Sequence, residues 1–329
     1  MSQFLSTCDA AAMDAAARVL VAGGLVAFPT ETVYGLGADA SNADAVARIY
    51  LAKGRPADHP LIVHVASTDG LGDWADDVAE YAIALARDFW PGPMTLIVKR
   101  SALAEDFVTG GQDTVGVRVP NHPIALGLLE AFERSGGKGV AAPSANRFGH
   151  VSPTTAQAVS DELSSYLMDG DQILDGGACD VGVESTIIDC TGDAPRILRP
   201  GAVTAQMIAQ STGLPVVGAV DANALAGKEE IRVSGSLDSH YSPVATVVLD
   251  QIPVAGQGFI ALADVATPDG VIRLAAPQTD QEFARVLYAA LRAADDQGVG
   301  VVVVQQPAGD GIAIAICDRL QRAAHSDNG

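Results

Sequence analysis

The sequence is short of cations. Lysine and arginine total 20 against 40 aspartates and glutamates, a formal net charge of −20 over 329 residues. That charge repels polyanions at long range and excludes a broad nucleic-acid-binding surface, while leaving room for a local basic pocket. Aromatic residues make up only 5%, so packed cores must be built from Val, Ile, Leu and Ala. No apolar run reaches the roughly 18 residues that a membrane-crossing helix needs. Residues 1–12 lack the basic-then-apolar pattern of a secretory leader. A cytoplasmic protein is expected. The four cysteines (Cys8, Cys179, Cys190, Cys317) form no CxxC pair, so neither a zinc site nor a disulfide framework is expected. There is no GxxxxGK[ST] loop, no GxSxG elbow and no HExxH. Gly35-Leu36-Gly37 lacks the third glycine of a dinucleotide fingerprint. His59, His64, Asp58 and Asp39 match no common ligand spacing, so no protein-held metal is expected.

What is present is apolar and patterned. Hydrophobic residues make up 48% and charged residues 18%, enough to build two packed domains at this length. Over the first 205 residues, helical patterns (9–22, 42–52, 75–89, 124–134, 153–163) alternate irregularly with short apolar strands (25–28, 61–65, 94–99, 115–119, 140–142, 185–189, 196–198). This predicts an α/β domain with a mixed sheet. From 206 to 243 the pattern weakens into Gly, Ser, Ala and Asp, with Lys228-Glu229-Glu230 inside it, which reads as a linker. Strands at 246–249, 259–262, 271–274 and 299–304, with helices at 281–296 and 311–324, predict a small C-terminal α/β domain over 244–329. The four valines of 301–304 suit the middle of a parallel sheet.

Chemistry-bearing residues fall in separate clusters. Pro29-Thr30-Glu31-Thr32-Val33-Tyr34-Gly35 follows a buried strand, where open α/β sheets place ligands; a plain turn is an equal alternative. Lys53-Gly54-Arg55-Pro56 sets two cations at a helix end, suited either to phosphate oxygens or to the helix dipole. Arg118 lies between Val117 and Val119, so alternation sends it to the opposite face. Base rates favour solvent there, unless both faces of the sheet are covered. Ala142-Pro143-Ser144-Ala145-Asn146 ends a strand. Ser152 precedes Pro153 and reads either as part of an anion nest or as a helix N-cap. Glu184-Ser185 and Arg199-Pro200-Gly201 come next. Ser239-His240-Tyr241-Ser242-Pro243 places a polar aromatic spot in a bland linker, as a segment folding over a site would.

Taken together, PTETVYGLG, KGRP with HPLIVHV, WPGPMTLI, VGVRVP, APSAN with SPT, VESTIID and ILRPG resemble the YrdC-like family of threonylcarbamoyl-AMP synthases. They cover about residues 10 to 205 in the family's order. SHYSP and the valine-rich C-terminal region resemble its longer, two-domain form. The resemblance implies a twisted mixed sheet around a large cavity, with a Rossmann-like second domain and a linker serving as a lid. It implies L-threonine at Thr32, His64, Arg118, Ala142 and Ser185. It places ATP at Arg55, His59, Thr114, Ser144, Ser152, Arg199 and Tyr241, and catalysis at Lys53 and Arg55. His59 stands where several relatives carry Asn, and a neutral imidazole still donates one hydrogen bond. The implied reaction joins L-threonine, bicarbonate and ATP into threonylcarbamoyl-AMP and pyrophosphate. It serves threonylcarbamoyladenosine formation at position 37 of tRNAs that read ANN codons. Mg²⁺ would be held through the phosphates, and a downstream transfer machinery would take the product. Two other readings stand beside it. One is an RNA-binding module without adenylation, which the net charge opposes. The other is a carbamoyl-transfer domain of the hydrogenase-maturation type, whose acylphosphatase and zinc-finger segments are not found here.

Overall fold

The structure is a computed structural model that describes residues 5–6, 9–217, 231–235 and 241–325. The linker residues Lys228, Glu229, Glu230, Ser239 and His240 lie outside the described residues.

Ten strands form the first sheet. In chain order they are β1 Leu5–Ser6, β2 Val26–Phe28, β3 Gly35–Asp39, β4 Ile62–His64, β5 Met94–Lys99, β6 Thr114–Arg118, β7 Val140–Ala141, β8 Gln172–Leu174, β9 Thr186–Asp189 and β10 Arg196–Arg199. Their spatial order is β1-β8-β2-β3-β7-β4-β6-β5-β9-β10. Parallel pairs such as β4 with β6 occur beside antiparallel pairs such as β5 with β6, the mixed sheet expected. Among the helices, α1 Ala10–Val21 and α2 Ala43–Lys53 begin where their capping side chains predict, and α3 Leu71–Trp74, α5 Asp106–Thr109 and α7 Ala156–Leu163 are shorter. Asp9 accepts from the Ala12 amide at 2.8 Å and Asn42 from that of Ala45 at 3.1 Å.

Strand alternation assigns the two faces. Ala27, Val63, Leu96, Val117 and Ala141 join the large core cluster that α2 and α4 (Glu80–Phe89) cover. Val26, Phe28, Val140 and Leu174 face the other way, under α1 and α6 (Pro123–Arg134). Ile62, His64, Thr95, Gly116 and Arg118 share that second face by parity. This part of the sheet is where polar side chains gather.

A second sheet is wholly parallel, in the order β11 (Thr246–Leu249), β14 (Val301–Val304), β12 (Gly258–Ile260) and β13 (Ile272–Ala275). The valine strand is therefore central, as its composition predicts. Helices α9 (Asp280–Asp296) and α10 (Ile312–Ala324) pack on it. This core continues into Val33, Val151, Val183 and Tyr241, so the second sheet's hydrophobic cluster reaches the loops of the first.

Three expectations are corrected. The pattern at 75–89 is helical only from Glu80, because Asp77 takes a left-handed φ of 52° and Ala75 bridges to Arg100. The helix expected at 153–163 starts at Ala156 and is capped by Thr155, so Ser152 is no N-cap. The segment from 206 onward is not patternless throughout: α8 spans Ala205–Thr212, with Thr204 as its cap.

Candidate functional site

A hollow opens on the second face of the ten-stranded sheet. Its floor comes from β4 and β6. Register pairs Ile62 with Gly116 and His64 with Arg118, so the imidazole and the guanidinium project side by side. The turn after β2 supplies one wall. The Thr30 hydroxyl donates to the Val33 carbonyl at 2.6 Å and contacts the Thr32 hydroxyl at 2.8 Å. Arg118 donates to Thr32 Oγ1 at 3.0 Å and pairs with the Glu31 carboxylate at 2.6 Å, both ions being buried. The expectation that Arg118 faces solvent therefore fails: the face is covered, and a buried cation has a buried anion beside it.

A second wall carries the remaining cations. Arg199 ends β10 and is buried. It donates to the Ser185 carbonyl and hydroxyl, each at 3.1 Å, and to the Ser234 carbonyl at 2.7 Å. Ser185 Oγ also meets Thr95 Oγ1 at 2.8 Å. Arg55 donates to the Pro60 carbonyl at 3.0 Å and to Ser234 Oγ at 3.2 Å. Burial above all pulls the Arg55 pKa down to about 10, with Arg199 adding to the effect, yet it stays charged at neutral pH. Gly235 approaches the Arg199 guanidinium with φ of 82°. A Cβ there would stand 2.1 Å from the Tyr241 hydroxyl, which only glycine avoids.

Thr32, Arg55, His64, Arg118, Ala142, Ser144, Ser185, Arg199 and Tyr241 all line this one hollow. Four other residues singled out from sequence sit around it. Lys53 is buried behind the Ser144 loop, its ammonium donating to the Ser144 carbonyl at 2.6 Å and to that of Asn146. Desolvation and the Arg55 charge hold its pKa well below the usual lysine range. His59 is partly exposed and packs edge-on against Phe148, which also lies 5.8 Å from the Arg55 guanidinium. Thr114 lines a neighbouring cavity of about 270 Å³ with Gln112, Arg232 and Ser234. The Ser152 hydroxyl donates to Glu184 at 2.6 Å. Sequence reasoning gave no role to Glu31, Ser234, Gly235 or Glu184. Glu31 and Glu184 carried the usable signal, each being an acid inside an otherwise neutral run.

His64 is fully buried, and desolvation together with Arg118 pushes its pKa down to about 3. The ring is therefore neutral at physiological pH. In the unfolded chain it would titrate near 6.5, so the unfolded state binds a proton that the native state refuses as pH falls below that value. Stability from this group is complete above pH 6.5 and declines on acidification, by about 2 kcal/mol at pH 5. His64→Gln should flatten that part of the stability–pH curve. Denaturant titrations at pH 5 and pH 8 measure it, and an unchanged slope would show that the ring protonates in place.

Among the described residues no group of three or more His, Cys, Asp or Glu side chains is placed to hold a metal ion, and no helix is long and apolar enough to cross a membrane. Among the described residues lining the hollow Glu184 is the one acid, and both its oxygens are engaged. The protein residues present do not fit direct Mg²⁺ coordination.

Comparison with known proteins agrees with this geometry. A family model for Sua5, YciO and YrdC proteins, described as "Telomere recombination", matches residues 18–201. A second, described as "Threonylcarbamoyl-AMP synthase, C-terminal domain", matches residues 203–325. A threonylcarbamoyl-AMP synthase of Pyrococcus abyssi is 40% identical, covering 94% of this chain and 93% of its own length. One from Bacillus subtilis is 38% identical over 97% and 94%. The crystal structure of P. abyssi Sua5 complexed with L-threonine superposes with a TM-score of 0.85 at 37% identity, covering 98% of each chain. The chain belongs to the Sua5/YciO/YrdC family.

Proposed function

We infer that the hollow holds L-threonine beside ATP and that the chain is an enzyme forming threonylcarbamoyl-AMP, the activated intermediate of tRNA threonylcarbamoyladenosine synthesis. One observation carries this reading. Scattered sequence segments deliver a hydroxyl-and-arginine wall (Thr32, Arg118) and a dicationic wall (Arg55, Arg199, with Ser185) to the same space. In a chain of net charge −20, such a space selects small anions. Relatives named for this activity over nearly their full length support it, as does the threonine-bound structure.

Threonine lies against Thr32, His64, Arg118, Ala142 and Ser185. The nucleotide lies against Arg55, Ser144, Arg199 and Tyr241, with His59, Thr114 and Ser152 bordering its site. The threonine amine captures bicarbonate, losing water, to give a carbamate. A carbamate oxygen then bonds to the α-phosphorus of ATP as the bond to the pyrophosphate oxygen breaks. No protein nucleophile takes part. The walls contribute alignment and fixed positive charge where negative charge shifts. Lys53 acts from behind, holding the Ser144 loop. Mg²⁺ travels with the nucleotide on its phosphates. Residues 206–243 join the two halves, and the part carrying Tyr241 closes over the product. The enzyme works in the cytoplasm and hands its product, for position 37 of tRNAs reading ANN codons, to a separate transfer machinery. RNA binding without adenylation is not favoured, given the net charge.

The test mixes the protein with Mg-ATP, bicarbonate and threonine and measures pyrophosphate. Release should require threonine and fall sharply with serine in its place. Release indifferent to threonine would overturn the reading.

A further inference from the structure

We propose that the C-terminal unit takes part in the reaction through Arg319 and Tyr288, two positioning residues that lock Glu184 and with it the Ser185–Arg199 wall. This rests on the reading of the hollow given above and assigns the second sheet's helices a task in it.

Glu184 lies in the wall of the hollow but is held from outside. Arg319 Nε on α10 donates to Glu184 Oε2 at 2.8 Å, and the Tyr288 hydroxyl on α9 donates to the same oxygen at 2.9 Å. Ser152 donates to the other oxygen at 2.6 Å. Arg319 also donates to the Pro200 carbonyl at 3.0 Å. One guanidinium therefore grips the residues just before Ser185 and just after Arg199. Those two are bonded to each other within the hollow. The same pair shelves Tyr241: its ring stacks on Tyr288 at 5.8 Å, and the Arg319 guanidinium lies 5.4 Å from its centroid.

The contact is tight as well as polar. Gly182, with φ of 81°, lies so close to α9 that a Cβ would stand 2.4 Å from Arg285 Cα. Arg319 and Tyr288 are wholly enclosed, so solvent cannot replace their bonds. The charged and titratable groups facing Glu184 are Arg319 from α10, Tyr288 from α9, Arg199 from β10 and Tyr241 from the linker. Asp318 holds the far side of Arg319 and is itself paired with Arg322 at 3.2 Å. Burial works to raise the Glu184 pKa. Arg319 and Arg199, with the hydrogen bonds of Ser152 and Arg319, outweigh it and hold the carboxyl at about 2. Without Arg319 the balance tips toward burial and the pKa must climb.

The experiment compares the full-length wild type with Arg319→Met, Glu184→Gln, the double variant and Tyr288→Phe, following threonine-dependent pyrophosphate release from pH 5.5 to 8.5. Wild-type protein should show no limb from Glu184, which stays ionised throughout. Arg319→Met should raise the ATP KM about tenfold or more and acquire an acid limb, activity falling as Glu184 takes a proton. The double variant should lose that limb, and its defect should be smaller than the product of the two single defects. Wild-type kinetics in Arg319→Met, or a defect without the limb, would overturn the proposal. If Arg319→Met does not fold, Tyr288→Phe decides, because it removes one hydroxyl: a severalfold higher ATP KM supports the proposal and a wild-type value sinks it. A wild type that needs no threonine would count against the function itself, a result distinct from active protein with indifferent variants.

Discussion

Arg199→Met should abolish measurable threonine-dependent pyrophosphate release, a loss of about 10²–10³ in kcat/KM for ATP, the scale of removing one preorganised charge-stabilising donor. Three of its bonds, two to Ser185 and one to Ser234, fix the guanidinium in a site that excludes water. Burial pulls its pKa down from the usual arginine value, but not far enough for a guanidinium to lose its proton at neutral pH. The site thus retains a desolvated positive charge, whose field acts on a phosphate through little screening. Arg199→Lys keeps the charge and loses the planar fork. Its single ammonium cannot span both the Ser185 and Ser234 carbonyls, so it should recover only a small part of the activity. Steady-state kinetics with circular dichroism as a folding control measure this. A folded Arg199→Met protein with the wild-type ATP KM would remove Arg199 from the nucleotide site.

Legibility from sequence followed the range of the interactions. Local signals read true: the helical patterns expected from residues 9 and 42 begin there, where Asp9 and Asn42 cap α1 and α2, and the 301–304 valines form a strand flanked on both sides. The motif turn after β2 was visible because hydroxyls and glycines clustered within a few residues. Alternation alone left Arg118 between solvent and a covered face, because its burial depends on Glu31, 87 positions away by residue number, and on what covers the face. Ser234 looked like linker composition, yet its hydroxyl and carbonyl join Arg55 to Arg199. Arg319 and Glu184 stand 135 residues apart, in regions whose local patterns say only helix and strand end. Spacing carries no information about such pairs. Lys53 shows the opposite limit: its motif was legible, but whether its ammonium points into the hollow or at the backbone of residues 144–146 is a matter of packing.

Arg118→Met should be the most destabilising single change in the half of the hollow proposed for threonine. It strands the Glu31 carboxylate in an enclosed site, where breaking a buried pair costs about 3–5 kcal/mol. Glu31 keeps only the Asn121 amide, which donates to Oε2 at 3.0 Å. Thr32 loses the donor that orients its hydroxyl at 3.0 Å, and His64 loses the cation beside it. Stability and threonine recognition therefore fall together in the single variant and must be separated. Adding Glu31→Gln does so. The neutral amide no longer demands a cation, so the double variant should regain much of the unfolding free energy in a denaturant titration. It should not regain threonine dependence, because no positive charge then faces the amino acid's carboxylate. Recovery of both would mean that Arg118 serves only to hold the fold. Recovery of stability alone makes the pair one device with two tasks, in which Glu31 keeps Arg118 folded inward and Arg118 meets the substrate.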